Sequence, residues 1–313
     1  MAFQKGLHEV ADGVWAYLQP DGGWGWSNAG LVTGGGDSSL LVDTLFDLRL
    51  TAEMLETMRR TTASAEQIAT VVNTHANGDH CYGNALVAES EIISSARCAQ
   101  EMEHLPPSAM AAMVRSAPSL GPAGDFLARI FAPFSFDDVP LTLPSRTFEG
   151  RLDLKVGNRP VSLVEVGPAH TAGDLVVHLP EDGIVFTGDI LFHGGHPIVW
   201  AGPVANWIAA CERIIELRPT VVVPGHGPLA TPTAVAELKG YFEFLTSETR
   251  IRFDGGLSPM EATRDIDLGP YSAWSEPERV VANVHALYRD FGSAVPGDAL
   301  TLMAEMAVLA NEA

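Results

Sequence analysis

The chain has 313 residues, with 39 acidic against 19 basic side chains and a formal net charge of −20. At 46% hydrophobic and 19% charged residues it has ample material for a buried core, which excludes wholesale disorder. With Arg59-Arg60 as its basic doublet, it lacks the stripe that nucleic-acid or anionic-membrane binding needs, and Cys81, Cys98 and Cys211 are too few and too odd in number for a disulfide framework.

The opening residues, M-A-F-Q-K-G-L-H-E-V-A-D-G-V-W, have no apolar h-region and carry acids early, so no secretory signal is read. No run approaches the eighteen or so apolar residues of a membrane span, and a cytoplasmic protein is expected. Residues 7–19 read as opening strands, followed by a glycine-rich loop, 22–26, that carries Trp24 and Trp26. S-S-L-L-V-D (38–43) is a short strand ending in Asp43. Residues 47–60 place Leu48, Leu50, Met54, Leu55 and Met58 at helical spacing, and I-A-T-V-V-N-T-H (68–75) is a β-branched strand running into His75. The stretch 95–145 is rich in Ala, Met and Pro. It reads as short helices broken at Pro106-Pro107 and Pro118, then a loop around Pro133 and Pro140, an insertion long enough to cover a site.

The order strand-Asp, helix, strand-His then recurs. G-I-V-F-T-G-D (183–189) ends in Asp189. Residues 203–217 put Val204, Trp207, Ile208, Cys211, Ile214 and Ile215 on one helical face, with Pro203 in the first position, and P-T-V-V-V-P-G-H (219–226) runs into His226. Continuous apolar strands alternating with amphipathic helices imply sheets covered by helices. Two such halves packed sheet to sheet give an α/β fold, a four-layer αββα sandwich, with the ligand site beyond the strand ends. After His226 the chain is helical. Thr231-Pro232 starts one helix, and Ser258-Pro259-Met260-Glu261 and Ser275-Glu276-Pro277-Glu278 both read as capping boxes. The last helix, after Asp298, is apolar on nearly every side, so it docks onto the body or forms a subunit contact in a homo-oligomer. The expected division is a catalytic unit, 1–230, containing the 95–145 insertion, and a helical extension, 231–313.

The chemistry gathers in four motifs. N-T-H-A-N-G-D-H (73–80) sets His75, Asn77 and Asp79 at alternate positions past a strand end, with His80 next to them. G-P-A-H-T-A-G-D (167–174), T-G-D (187–189) and P-G-H-G-P (224–228) each place a His or Asp in a glycine-flanked turn after an apolar strand. Imidazoles and carboxylates at strand ends suit zinc, iron or manganese better than calcium or magnesium.

These motifs, in this order, resemble the metallo-β-lactamase superfamily over roughly residues 7–230, and the αββα sandwich of that family agrees with the two halves read above. The resemblance implies a first metal site with His75 and His170, a second with Asp79, His80 and His226, and Asp189 bridging them. It also implies a metal-bound water or hydroxide as nucleophile, with Asp79 orienting it. The family's first motif is H-x-H-x-D-H, and this chain departs from it at Asn77, whose amide oxygen is a weaker ligand than imidazole. Three arrangements follow: two metals with a weak first site, a single zinc at Asp79, His80 and His226, or one iron on His75, His170 and Asp189. The last resembles the persulfide dioxygenase branch of the superfamily.

Trp24, Trp26, Tyr82, His193, His196 and Trp200 are candidates for the wall of a substrate pocket. Asp43 is read as closing a turn beneath the site, Asp174 as orienting a ligand, and Cys81 as a small buried apolar residue. His8, His104, His178 and His285 are read as surface or core residues. The expected activity is hydrolysis of a carbonyl-type bond (ester, thioester, lactone or β-lactam) in a small molecule, using one or two Zn2+ ions, with Fe or Mn open. Nucleic acid and membrane are not expected partners. The competing expectations are an iron-dependent persulfide dioxygenase and a non-catalytic member with a degenerate site.

Overall fold

The apolar runs of the sequence become strands of two sheets in the structure, a computed structural model that describes residues 3–35 and 38–312. One sheet carries β1 (Gly6–Ala11), β2 (Val14–Leu18), β3 (Ala29–Thr33), β4 (Ser39–Val42), β5 (Thr70–Val72), β6 (Glu91–Ser95) and β7 (Arg146–Phe148), side by side in that order. The other carries β8 (Arg151–Val156), β9 (Arg159–Glu165), β10 (Leu175–Leu179), β11 (Ile184–Phe186) and β12 (Val221–Val223).

Helix α1 (Leu48–Thr61) connects β4 to β5, and the single turn α2 (Gly78–Cys81) follows β5. Helices α3 (Ala96–His104), α4 (Pro107–Ser116) and α5 (Pro122–Phe131) stand between β6 and β7. Helix α6 (Val204–Glu216) connects β11 to β12, and α7 (Pro232–Asp254), α8 (Pro259–Asp265), α9 (Val280–Asp290) and α10 (Ala299–Glu312) complete the described chain. Strands β4 and β5 are parallel across α1, and β11 and β12 are parallel across α6, so the duplicated pattern in the sequence is two β-helix-β units.

The inner faces of the sheets meet in a core of branched side chains. Val14, Leu18, Val32, Leu40, Val72 and Ile93 come from the first sheet, and Val161, Leu163, Leu175, Val177, Ile184, Phe186 and Val223 from the second. Gly30 is required here, because any Cβ at that position would collide with the Phe186 ring across the interface. Helix α1 starts where the Asp47 carboxylate accepts the Leu50 N–H at 2.7 Å, and it buries Leu50, Met54, Leu55 and Met58. Helix α6 begins one residue later than the sequence implied, with Pro203 outside it as the N-cap. Trp207, Cys211 and Ile214 face inward, and the Trp207 indole donates to Ile190 O at 3.0 Å.

The capping box of Ser258 and Glu261 forms as read. The second box does not. Glu276 takes a left-handed conformation before a single 3-10 turn, and the Glu278 carboxylate accepts instead from the Trp24 indole N–H at 2.8 Å. A distant aromatic partner overrides the local cap. Helix α10 buries Leu302, Met303, Met306 and Ala307 and packs on α5 and α9, so the apolar helix docks onto the body, with Leu300 and Val308 facing outward. No helix among the described residues is long and apolar enough to cross a membrane.

Candidate metal centre

The site is built beyond the ends of β4, β5, β9, β11 and β12, and its foundation is Asp43. This buried carboxylate accepts from the Thr74 backbone N–H at 2.7 Å, the Thr74 hydroxyl at 2.7 Å and His80 Nδ1 at 2.9 Å. Having given its proton to Asp43, the Thr74 hydroxyl can only accept from His75 Nδ1, 3.0 Å away. His170 Nδ1 donates to Ile198 O at 2.7 Å, and His226 Nδ1 donates to Gly22 O at 3.1 Å. Carbonyl, carboxylate and committed hydroxyl all act as acceptors here. All four rings therefore carry their proton on Nδ1 when neutral, and present a lone pair on Nε2.

Those lone pairs face two carboxylates. Asp189 Oδ2 lies 3.3 Å from His170 Nε2, 3.4 Å from His226 Nε2 and 3.7 Å from His75 Nε2. Asp189 Oδ1 lies 3.1 Å from His80 Nε2. Asp79 Oδ2 lies 3.3 Å from His226 Nε2 and 4.0 Å from His80 Nε2. His75 Nε2, His80 Nε2 and Asp189 Oδ1 are buried without a hydrogen-bond partner, close approaches notwithstanding, since with each ring's proton on Nδ1 a lone pair faces a lone pair. Orphaned buried ligand atoms of this kind, on rings whose far nitrogen is fixed, fit a metal centre. Two groups could each hold an ion: Asp79, His80 and His226, and His75, His80 and Asp189. The donor set is nitrogen and oxygen, which suits zinc, iron or manganese.

The electrostatics point the same way. Burial disfavours charge on His80, but Asp189, Asp43 and Asp79 outweigh it and hold its pKa well above the usual imidazole range. Burial likewise opposes charge on His226, yet Asp189 and Asp79 raise it to about 9. His75 goes the other way, held well below its usual range by burial and by His80. Three carboxylates in one buried pocket demand positive charge, and a divalent cation meets that demand with every ring neutral.

The turn P-G-H follows from packing. A Cβ on Gly225 would collide with Asp189 Oδ1 and the backbone of Gly188, so only glycine lets the loop carrying His226 close on Asp189. Asp174 accepts from Ala169 N, Thr171 N and the Thr171 hydroxyl. It holds the turn that presents His170 without touching the ring, and burial raises its carboxyl to about 7. Asn77 Nδ2 stands 3.0 Å from His170 Nε2, so the departure from the family motif lies beside the ring that the resemblance assigns to the first site.

The proposed pocket residues divide. His193 donates from Nδ1 to Pro228 O at 2.9 Å and, with Asp21, Ser275 and His226, lines a cavity of about 320 Å3. Trp24 and Trp26 are half-buried and pack on Phe126 and Phe134, which pins their loop to the insertion. Trp200 is half-buried, and its backbone N–H donates to His170 O. Tyr82 and His196 do not reach the site. Tyr82 is buried among Phe46 and Phe136 with its hydroxyl on Leu105 O. His196 is buried against Tyr241, and burial with nearby Arg279 lowers its pKa to about 4. The sequence reading missed Asp43 as the partner of His80. It also missed the carbonyls of Ile198 and Gly22, which no side-chain motif can announce.

A family model described as the metallo-beta-lactamase superfamily matches residues 22–226. Among curated proteins, an acyl-coenzyme A thioesterase, MBLAC2, of Gallus gallus is 32% identical over 94 residues, 28% of this chain and 33% of that protein. The Homo sapiens protein of the same name is 32% identical over 79 residues, 23% of this chain and 28% of that one. The match thus spans about a third of the length of these curated relatives. Among solved structures, the sec-alkylsulfatase Pisa1 from Pseudomonas sp. superposes with a TM-score of 0.70 at 15% identity, over 93% of this chain and 51% of that one. A metallo-beta-lactamase from Pontibacter korlensis superposes with a TM-score of 0.56 at 20% identity, over 77% and 99% of the two chains. These two likenesses establish the fold.

Proposed function

The chain belongs to the metallo-β-lactamase superfamily, and from that premise we propose that it is a metal-dependent hydrolase acting on a carbonyl-type bond of a small molecule. Ester, thioester, lactone and β-lactam are the bonds in scope, and the partial likeness to acyl-coenzyme A thioesterases puts thioesters first on the panel. The observation that carries the reading is the set of four imidazoles with Nδ1 committed to an acceptor and Nε2 aimed at Asp79 or Asp189.

In this reading His75 and His170 hold a first ion, Asp79, His80 and His226 a second, and Asp189 lies between. Bound zinc, in one or two copies, or iron or manganese in its place, supplies Lewis acidity that polarises the scissile carbonyl and lowers the pKa of attacking water. The protein does the rest. Asp79, the most exposed of these ligands at 8%, orients the water and accepts its proton. The 19–28 loop, pinned through Trp24 and Trp26 to the insertion, shields the site from bulk water. Three buried, unpaired cysteines accord with a reducing compartment, and the reading places the protein in the cytoplasm.

The test is metal quantification by mass spectrometry on protein purified without added metal, followed by a thioester, lactone and nitrocefin panel. Zinc with chelator-sensitive hydrolysis is the expected result. One equivalent of iron with oxygen uptake on a persulfide would replace hydrolysis with dioxygenation. If zinc, iron and manganese neither co-purify nor raise the melting temperature, the metal reading fails, because saturation at a hundredfold over Kd adds about 2.7 kcal/mol.

A second prediction concerns Asn77. Asn77→His restores an imidazole beside His170, and first-site affinity is expected to rise about tenfold or more by chelator competition. Unchanged affinity and stoichiometry would show that Asn77 does not limit that site.

A further inference from the structure

The helical extension reaches His170 through a peptide group. His170 Nδ1 donates to the carbonyl of Ile198 at 2.7 Å. The N–H of that same peptide unit belongs to Val199, and it donates to Asn283 Oδ1 on α9 at 3.0 Å. The Asn283 amide then donates from Nδ2 to Pro197 O at 2.9 Å and to the Tyr241 hydroxyl oxygen at 3.1 Å. One side chain thus grips the backbone on both sides of Ile198. The relay is fully dry: Asn283, His170 and Val199 have no exposed surface, and Ile198 only 3%.

We propose that Asn283 is a positioning residue for the first metal site, acting on His170 through the 198–199 peptide. Two physical effects follow from the arrangement. Accepting from the Val199 N–H fixes the plane of the peptide, so the Ile198 carbonyl points at His170 and holds the ring with Nε2 facing Asp189, 3.3 Å away. The same bond polarises the peptide, which strengthens the carbonyl as an acceptor and makes the His170 ring a better donor of its Nε2 lone pair. Without it, the Val199 N–H is orphaned in an apolar setting and the Ile198 carbonyl is free to tilt. The backbone reinforces the link from the other side, since Trp200 N and Ala201 N both donate to His170 O, at 3.0 and 3.1 Å. The segment 197–201 therefore works as an adaptor: Asn283 sets it, and it sets His170. Asn283 lies far outside the 22–226 stretch that the family model matches, so the part of the chain beyond the sandwich helps to define a ligand inside it.

This rests on His170 being a metal ligand, so the experiment has one arm that needs no metal. In metal-free protein labelled with 15N at histidine, the His170 Nδ1–H proton should give a downfield, slowly exchanging resonance. Asn283→Leu, which keeps the branched shape and removes all three side-chain hydrogen bonds, is expected to shift that resonance and speed its exchange. Asn283→Ser, shorter and milder, is read in the same way if the leucine variant does not fold. Asn283→Asp keeps an acceptor for Val199 and, protonated in its buried setting, a donor for Pro197 O, and should restore the resonance. In the second arm, chelator competition with zinc should show first-site affinity reduced about 10–100-fold in Asn283→Leu or Asn283→Ser and near wild type in Asn283→Asp. Tyr288→Phe, which deletes a 2.7 Å bond to Leu257 O elsewhere in the extension, controls for loss of stability alone and should move neither readout. An unshifted His170 resonance in folded Asn283→Leu or Asn283→Ser overturns the relay. So does a shift of equal size in Tyr288→Phe. If wild-type protein binds no metal while the resonance shifts as expected, the metal reading fails and the relay stands.

Discussion

Asp79→Ala should lower turnover by about 10²–10⁴-fold, the range of a lost acid–base group, while leaving the fold intact. Among the six ligand candidates Asp79 is the most exposed, and its Oδ2 faces His226 Nε2 at 3.3 Å, which in the proposed mechanism makes it the carboxylate that meets the attacking water. The neighbouring Ser27 hydroxyl donates to the Asp79 backbone carbonyl, which alanine retains. Losing the carboxylate gives up its pairing with His226 but also relieves its repulsion with Asp189. These effects oppose each other, and stability should change by about 1 kcal/mol. The measurement is kcat alongside the melting temperature of the same preparation. Near-normal turnover would remove Asp79 from its proposed role.

Asp43→Ala should do the opposite kind of damage. Three buried donors, the Thr74 N–H, the Thr74 hydroxyl and His80 Nδ1, end on this one carboxylate. Alanine orphans all of them, and breaking a buried charged contact of this kind costs about 3–5 kcal/mol. The loss spreads to the metal centre. With Thr74 released, its hydroxyl no longer serves as an obligatory acceptor for His75, and both His75 and His80 lose the partner that fixes which nitrogen carries the proton. Metal affinity should fall about 10–100-fold in whatever protein remains folded. Urea unfolding and chelator competition measure the two effects. A variant as stable as the wild type would show that water fills the role of Asp43. Asp43→Asn keeps an acceptor for Thr74 but cannot serve Thr74 and His80 as the carboxylate does, and should fall between.

The fold was legible because its signals are local. T-V-V, I-V-F and V-V-V announce buried strands, the α1 and α6 faces repeat at helical spacing, and the four motifs end strands that have no other reason to finish in His or Asp. The six ligand candidates were legible for the same reason, and the structure gathers them within a few ångströms. What sequence could not supply was the second tier. Asp43 sits 31 residues from Thr74 and 37 from His80, and nothing in S-S-L-L-V-D says which side chains its carboxylate will meet. Ile198 and Gly22 act through carbonyls, which every residue possesses. Tyr82 and His196 look like pocket residues because they neighbour ligands in sequence, yet α2 and the loop after Asp189 turn them into the core. Ser275-Glu276-Pro277-Glu278 has the letters of a capping box, and the Trp24 indole, more than 250 positions away, claims the glutamate instead.

The bond between Asn283 and Val199 also bears on the order in which the protein comes into being. Every strand of both sheets has been synthesised once Val223 is added, but Asn283 follows about sixty residues later. At about 5–20 residues per second, that interval is about 3–12 s. Arg279, whose guanidinium lies 4.3 Å above the Trp24 ring, arrives only just before it. During that interval a nascent sandwich can pair all its strands, while the loop behind His170 still lacks its anchor and the 19–28 loop its cover. In the proposed relay His170 thus waits on a residue made more than a hundred positions after it, and a chain truncated before α9 would keep all four motifs without the side chain proposed to set His170.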